Sequence, residues 1–359
     1  MLTNLDGTIM KISNLVVVLS VFFAMSFSQT FAITKVTDAP YPFNGKKTVK
    51  IALIQLLTKG EFMQTFRSGA ERQAELMGAK LVALNNEDGS NESQADAVDR
   101  AISMGVDGIL LSHGRYEIMK ESINRAVKAG IRVVAFDIDM KNSFVTQIVQ
   151  DDHLLSQMSL DALIEDFDGE AYVGYVYLPG VLPLDKRDES FTKTKAEFPQ
   201  IKEIRRTGTL ETPFSLKNAD QIKEVLRDNP EINAYFAPFD KFAKGVILAL
   251  QEVNMTDKVK VYSADISTVD IRMMIKKNSP WVATTATNPA AIGATGVRAV
   301  AMKLTGDYLP REITIPPMLF TQEMLRDANI NQLSDLQKKF PQFRTVDRAS
   351  ASWIPREKK

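Results

Sequence analysis

Apolar and polar positions fall in alternating blocks along the first half of the chain. Apolar runs at 49–57, 81–84, 108–111 and 133–136 are separated by stretches whose apolar residues recur every three or four positions. That recurrence marks one face of a helix, and the runs between have strand length. The helical stretches stop at Gly78, Gly105 and Gly130, within LMGAKLVAL, SMGVDGILL and KAGIRVVAF. Glycine takes the left-handed conformation that closes a helix at little steric cost. The strands are apolar throughout rather than alternating, as expected when helices cover both faces of a parallel sheet. From about Ala171 the rhythm starts again. The pattern predicts two parallel α/β lobes, with a ligand cleft between them.

The helix after the first strand carries Phe62, Phe66, Ala70 and Ala74 four apart on one face. A second helix is expected from about Ser90, burying Ala95, Val98 and Ile102, and a third carries Tyr116, Met119, Ile123 and Val127. The strand VVAF ends in Asp137-Ile138-Asp139, two carboxylates at the strand edge that faces the crevice of an open α/β sheet. A short strand at 145–150 and a helix at 151–165 follow, with the first crossing between lobes near Gln150. The second lobe is expected to hold strands at 171–178, 201–207, 234–237, 260–264 and 281–287, with helices at 185–198, 215–227, 240–253 and 269–277. A helix at 289–304 and a strand at 317–321 come next. No Gly/Ser-rich linker joins the halves, so short crossings are expected to act as hinges. The polar tail after Asn331, with Trp353 and Pro355, is expected along the hinge or partly disordered.

The beginning of the chain departs from this rhythm. Lys11, the apolar run 15–25 and the small-residue segment 26–32 have the layout of a secretory signal, with Thr30 and Ala32 at the −3 and −1 positions of a cleavage site. The run is shorter than the ~20 residues of a membrane span. Cleavage after Ala32 would leave 327 of the 359 residues, enough for two domains. Met10 is an alternative start, and 33–47 is expected to be a poorly ordered lead-in. Lysines plus arginines and aspartates plus glutamates number 44 each, so the chain offers no electrostatic footprint for nucleic acid. It has no cysteine, which removes a disulfide scaffold, thiol catalysis, Cys-zinc sites and a lipidated N-terminus.

Motifs of catalysis are missing. There is no GxxxxGK[ST], GxGxxG, GxSxG or HExxH pattern and no EF-hand loop. Of the two histidines, His113 follows the strand GILLS and could reach the cleft, where a hydrogen-bonded structural role is weighed ahead of a catalytic one. No catalytic residue, metal ligand or cofactor is therefore expected. Candidate ligand-binding residues stand where strands hand over to loops: Phe62, Asp137, Asp139, Arg187, Phe239, Asp265, Thr287 and Asn288. Carboxylates and a guanidinium suit neighbouring hydroxyls, and an aromatic face suits the C–H side of a sugar ring. Plainer readings stand beside these. Asp240 is expected as a helix N-cap, Arg187 could belong to a solvated charged helix start, and Phe62 and Phe239 could be core.

The stretches VKIALIQLLTKGEFMQTFRSGAERQAELMGAKLV, VDGILLS, AGIRVVAFD, LDKRDESF, INAYFAPFD, VYSAD and NPAAIGATGVRAV, in this order, resemble the periplasmic sugar-binding proteins of ABC importers, of the ribose-binding type. The resemblance spans about residues 48–325 and implies the type I periplasmic binding protein fold: two Rossmann-like, doubly wound lobes joined by three hinge crossings. Lobe 1 would comprise 48–150 plus 289–318, lobe 2 151–288 plus 319–345, and the tail 346–359. By resemblance Phe62 is a stacking aromatic, and Asp137, Arg187 and Asp265 are sugar contacts. The chain departs from the ribose type at Gly60, Ile138, Phe239 and Thr287, where polar groups are lost or shortened. A deoxy-sugar, a methyl-bearing sugar or a polyol is thus expected ahead of ribose. The implied protein is a monomer in the periplasm that presents its ligand to a membrane permease. The alternative is a receptor of the same fold that reports to a sensor kinase or chemoreceptor.

Overall fold

The computed structural model describes residues 38–84, 89–344 and 348–355. The export segment and its cleavage after Ala32 lie outside the described residues. Lobe 1 starts with β1 (Lys50–Gln55), α1 (Glu61–Leu76), β2 (Lys80–Ala83), α2 (Asn91–Ser103), β3 (Gly108–Ser112), α3 (Tyr116–Lys128), β4 (Arg132–Phe136) and β5 (Thr146–Gln150). The chain then enters lobe 2 with α4 (Asp152–Asp166), β6 (Ala171–Val176), α5 (Leu182–Glu197), β7 (Ile201–Thr207), α6 (Phe214–Asp228), β8 (Ala234–Ala237), α7 (Asp240–Glu252), β9 (Lys260–Ala264), α8 (Thr268–Met274) and β10 (Trp281–Ala286). It returns through α9 (Pro289–Thr305) and β11 (Glu312–Ile315), crosses again to β12 (Met318–Thr321), and ends in α10 (Gln322–Asp327), α11 (Leu333–Lys339) and α12 (Pro341–Arg344).

The two six-stranded sheets run β11-β5-β4-β3-β1-β2 and β12-β10-β9-β8-β6-β7. Both follow the same winding order, which is the doubled rhythm of the sequence in three dimensions. They differ at one edge, where β11 is parallel to β5 but β12 is antiparallel to β10. The helix stops fall where glycine was read, with Gly78, Gly105 and Gly130 at φ 67°, 60° and 82°. Strand centres such as Ile51–Ile54 and Ile109–Leu111 are at most 1% exposed, as strands covered on both faces must be.

Helices switch lobes at the crossings. α4 packs on β9 and β10 of lobe 2, and α9 packs on α1 and β4 of lobe 1. The α1–α9 contact is backbone to backbone. A Cβ on Gly69 would meet Ala290 O at 2.1 Å, and one on Gly293 would meet Phe66 O at 2.0 Å. Only glycine permits this approach, and it seats the returning helix firmly on lobe 1.

Three local expectations change. α5 begins at Leu182, because Pro183 occupies its first turn, where proline costs no hydrogen bond. Phe239 stands at the N-cap of α7 and Asp240 is the first helical residue, bound to Lys244 at 2.6 Å. The terminal stretches of the described residues are packed. Phe43 in the lead-in meets Trp353 at 5.2 Å between ring centres. Phe340 and Phe343 pack on Phe320 in lobe 2, whereas Ile354 is buried in the lobe 1 core. Gln73 of α1 donates to Pro355 O at 3.1 Å. The C-terminal segment thus passes from lobe 2 back to lobe 1, a connection between the lobes beyond the three expected.

Candidate ligand-binding site

Three strands end in the same unusual way. His113 after β3, Asp137 after β4 and Asp265 after β9 have φ values of 59°, 56° and 70°. Each still donates its backbone N–H to the neighbouring strand: His113 to Phe136 O at 2.8 Å, Asp137 to Ile148 O at 3.1 Å, and Asp265 to Thr285 O at 2.8 Å. The chain then turns left-handed, a conformation that costs energy for any residue with a Cβ and is tolerated best by Asp, Asn and His. Strain of this kind is kept where the surroundings fix it, and it concentrates at functional sites.

In lobe 1, Phe62 of α1 stacks on Phe136 (6.2 Å, 15° between planes) and meets the His113 ring edge-on at 6.3 Å. His113 Nδ1 pairs with Ser112 Oγ at 2.8 Å, and its Nε2 lies 3.7 Å from Asp137 Oδ2. Burial holds the imidazole down at about 4, against the opposing pull of Asp265. Burial pushes Asp137 up to about 6, opposed by the positive charge of Arg187 and by a hydrogen bond from Gln150. Charges of lobe 2 thus act on His113 and Asp137 of lobe 1, so the two sets of strand ends lie close to one another.

In lobe 2, Arg187 of α5 is 3% exposed. Its Nε donates to Asp152 Oδ1 at 3.0 Å, and its terminal nitrogens reach Asp152 Oδ1 at 3.0 Å, Pro238 O at 2.7 Å and Asp265 Oδ2 at 3.1 Å. It is no solvated charge but the centre of a buried ion cluster. Burial alone would lower its basicity, and the flanking Asp265 and Asp152 more than reverse this. Asp265 itself is raised by burial, with Arg187 opposing.

The other candidates separate from this group. Phe239 is partly buried, edge-on to Phe242 at 5.3 Å, with Lys241 Nζ 5.8 Å from its ring and 5.0 Å from that of Phe214. Asp139 is exposed. Thr287 and Asn288 belong to the hinge. Thr287 Oγ1 bonds Gln150 Oε1 and so ties two crossings together. Asn288 caps α9 by accepting from Ala290 N and Ala291 N, donates to Phe343 O at 2.8 Å and accepts from Gln337 at 3.2 Å. Both polar atoms of its side chain are therefore engaged.

Two contributors escaped the sequence reading. Asp152, 2% exposed, sits beside the N-cap residue Asp151, and nothing in the pair tells which one turns inward. Glu61 opens α1 in lobe 1, and its carboxylate accepts from Thr268 N at 2.6 Å and from Thr268 Oγ1 at 2.5 Å in lobe 2. This clasp joins the first turns of α1 and α8 across the lobes. Among the described residues no cluster of potential metal ligands occurs, and no helix is long and apolar enough to cross a membrane.

Residues 51–307 match the model of the periplasmic binding protein domain. The chain belongs to that family, in its type I form. A 5-methylthioribose transporter solute-binding protein from Thermotoga lettingae, solved with 5-methylthioribose, is 35% identical, with 85% of this chain and 97% of that one covered at a TM-score of 0.78. A sugar ABC transporter protein from Yersinia enterocolitica is 30% identical over 86% of this chain and 94% of that one, with a TM-score of 0.77. The ribose import binding protein RbsB of Bacillus subtilis is 24% identical, over 79% of this chain and 91% of that protein. The relatives are solute-binding transport proteins, and this chain is a binding protein rather than an enzyme.

Proposed function

We propose that this protein is the extracytoplasmic receptor of an ABC importer, which closes on one small sugar and delivers it to the membrane permease. The observation that carries the reading is that Asp137, at the end of β4 in lobe 1, feels the charge of Arg187 of α5, which holds Asp265 at the end of β9 in lobe 2. A cleft of this kind replaces the water shell of a polyhydroxylated ligand with fixed hydrogen bonds. Phe62, with Phe136 behind it, offers an aromatic face to the apolar side of the sugar.

The ligand is a pentose with an apolar substituent, and 5-methylthioribose is the first compound to test. Two features favour it over ribose. Ile138, which packs in the lobe 1 core, and Phe239 supply no hydrogen-bonding side chain where a ribose site carries polar ones, so buried ribose hydroxyls would lack partners at ~1–3 kcal/mol each. The relative at 35% identity was solved with that compound. The protein reaches its site of action by export and cleavage after Ala32, which N-terminal sequencing of secreted material checks. Calorimetric titration with 5-methylthioribose, ribose, xylose and allose tests the ligand. Tightest binding of 5-methylthioribose is expected, whereas submicromolar ribose binding ahead of all others would refute it.

A further inference from the structure

The residue that follows Asp137 is Ile138, 3% exposed and packed in the lobe 1 core. A hydrogen-bond donor beside the Asp137 carboxylate must therefore come from another strand. β3 and β4 pair in parallel register, with Ser112 beside Phe136. The next residues, His113 and Asp137, make the same left-handed turn. Adjacent strands with matching turns bring the imidazole and the carboxylate together at the sheet edge.

The proton positions on the ring follow from its surroundings. A ring with hydrogen on Nδ1 would aim the Nε2 lone pair at a carboxylate oxygen 3.7 Å away. A ring with hydrogen on Nε2 aims a donor there, and the buried Ser112 hydroxyl then donates to Nδ1. The second arrangement gives Nδ1 a donor and turns the Nε2–H toward the carboxylate. Burial keeps the ring neutral at neutral pH, so Nε2–H is its one donor. The distance between Nε2 and Oδ2 is too long for a good direct hydrogen bond. It suits an oxygen that sits off the line between them, at hydrogen-bond distance from both.

We infer that His113 and Asp137 together hold one ligand hydroxyl in lobe 1, His113 Nε2–H donating to its oxygen and Asp137 Oδ2 accepting its hydrogen, so that His113 helps to set sugar specificity. A hydroxyl gives one hydrogen and takes another, and a neutral imidazole beside a carboxylate supplies both partners. An alkyl or alkylthio group at that position would leave both polar groups unpaired, whereas the Phe62 ring beside them would accept it. The inference rests on the proposed sugar-binding function and names the residue that reads one hydroxyl.

Two measurements test it. Long-range nitrogen–proton spectra of the labelled, ligand-free protein should show His113 protonated on Nε2, and protonation on Nδ1 overturns the inference. Calorimetry then compares 5-methylthioribose with its 1-, 2- and 3-deoxy forms. On the wild type, one deoxy form should bind about tenfold more weakly than the parent. On His113→Phe the parent should weaken by about tenfold, and the gap to that deoxy form should close. A purely structural role would weaken all four compounds alike and leave the gap open, which overturns the inference. His113→Gln, which keeps a donor, should retain most of the affinity, and His113→Leu, which removes it, provides the readout if the phenylalanine variant does not fold. Parent binding within about twofold of wild type in whichever of the two apolar variants folds overturns the role of His113 and leaves the sugar-binding function standing. A wild type that binds none of the sugars removes both.

Discussion

Arg187→Ala separates a ligand contact from a structural ion: the structure shows the ion cluster, and the proposed function makes the residue a sugar contact as well. The guanidinium is 3% exposed, touches Asp152 through two nitrogens at 3.0 Å, and reaches Asp265 at 3.1 Å and Pro238 O at 2.7 Å. Removing it leaves Asp152, itself 2% exposed, as a buried charge without its cation. Breaking a buried pair in this way costs about 3–5 kcal/mol. At roughly 2 °C per kcal/mol for a chain of this size, the melting temperature should fall by about 6–10 °C. Calorimetric melts of ligand-free protein measure this, with titration of the sugar on the same samples. The double variant Arg187→Met with Asp152→Asn removes the stranded charge and should recover more than about half of the loss, because a neutral pair of similar shape costs little. Sugar affinity should stay lost in both. A single variant that melts within about 2 °C of wild type, with only its affinity reduced, would refute the buried-cluster argument.

Glu61→Ala removes the two bonds from Thr268 that clasp the lobes. Bonds to a charged group at a part-exposed site predict about tenfold faster ligand release and a larger mean radius of gyration by small-angle scattering; unchanged release would dismiss the clasp. The neighbours His113 and Asp137 should show opposite pH dependence. His113, about 4 when folded against 6.5 when unfolded, loses about 3 kcal/mol of stability as pH falls through that window. Asp137, about 6 when folded against 3.8, loses a similar amount as pH rises through its own. Relative to wild type, His113→Gln should therefore gain stability at pH 4 over pH 7, and Asp137→Asn the reverse. Urea unfolding curves measure both, and parallel wild-type and variant profiles would contradict the burial argument. Gly293→Val should destabilise by several kcal/mol, because its side chain would meet Phe66 O in the α1–α9 contact; a melt within about 1 °C of wild type would show that the helices separate freely.

Much of the candidate site is legible, though unevenly. The strand-end placement of Asp137 and Asp265 can be read because a polar residue after an apolar run marks the carboxyl end of a strand, and parallel topology makes that end the crevice. Arg187 was found as a residue type but not as an environment. In DKRDES it reads equally as surface charge, and only α4, packed beside α5, puts Asp152 against it. Thr287 and Asn288 stood at a strand end like the others, but that strand end lies at a crossing, so their polar groups are spent on the hinge. Glu61 looked like an ordinary acid in the first turn of a helix, and its partner lies 207 residues away.

The sequence by itself determined what is local and repeated. Continuous apolar runs, amphipathic stretches and glycine stops each act over a few residues, so the strands, the helices and the doubled α/β winding were present in the order of the letters. Tertiary structure decided everything that depends on which distant surfaces meet. It reversed β12 against β10, brought residues 348–355 back to lobe 1, and buried the charge of Arg187 between two carboxylates. The physical reason is range. Backbone propensity and periodicity are set by neighbours in sequence, whereas burial, ion pairing and protonation are set by neighbours in space.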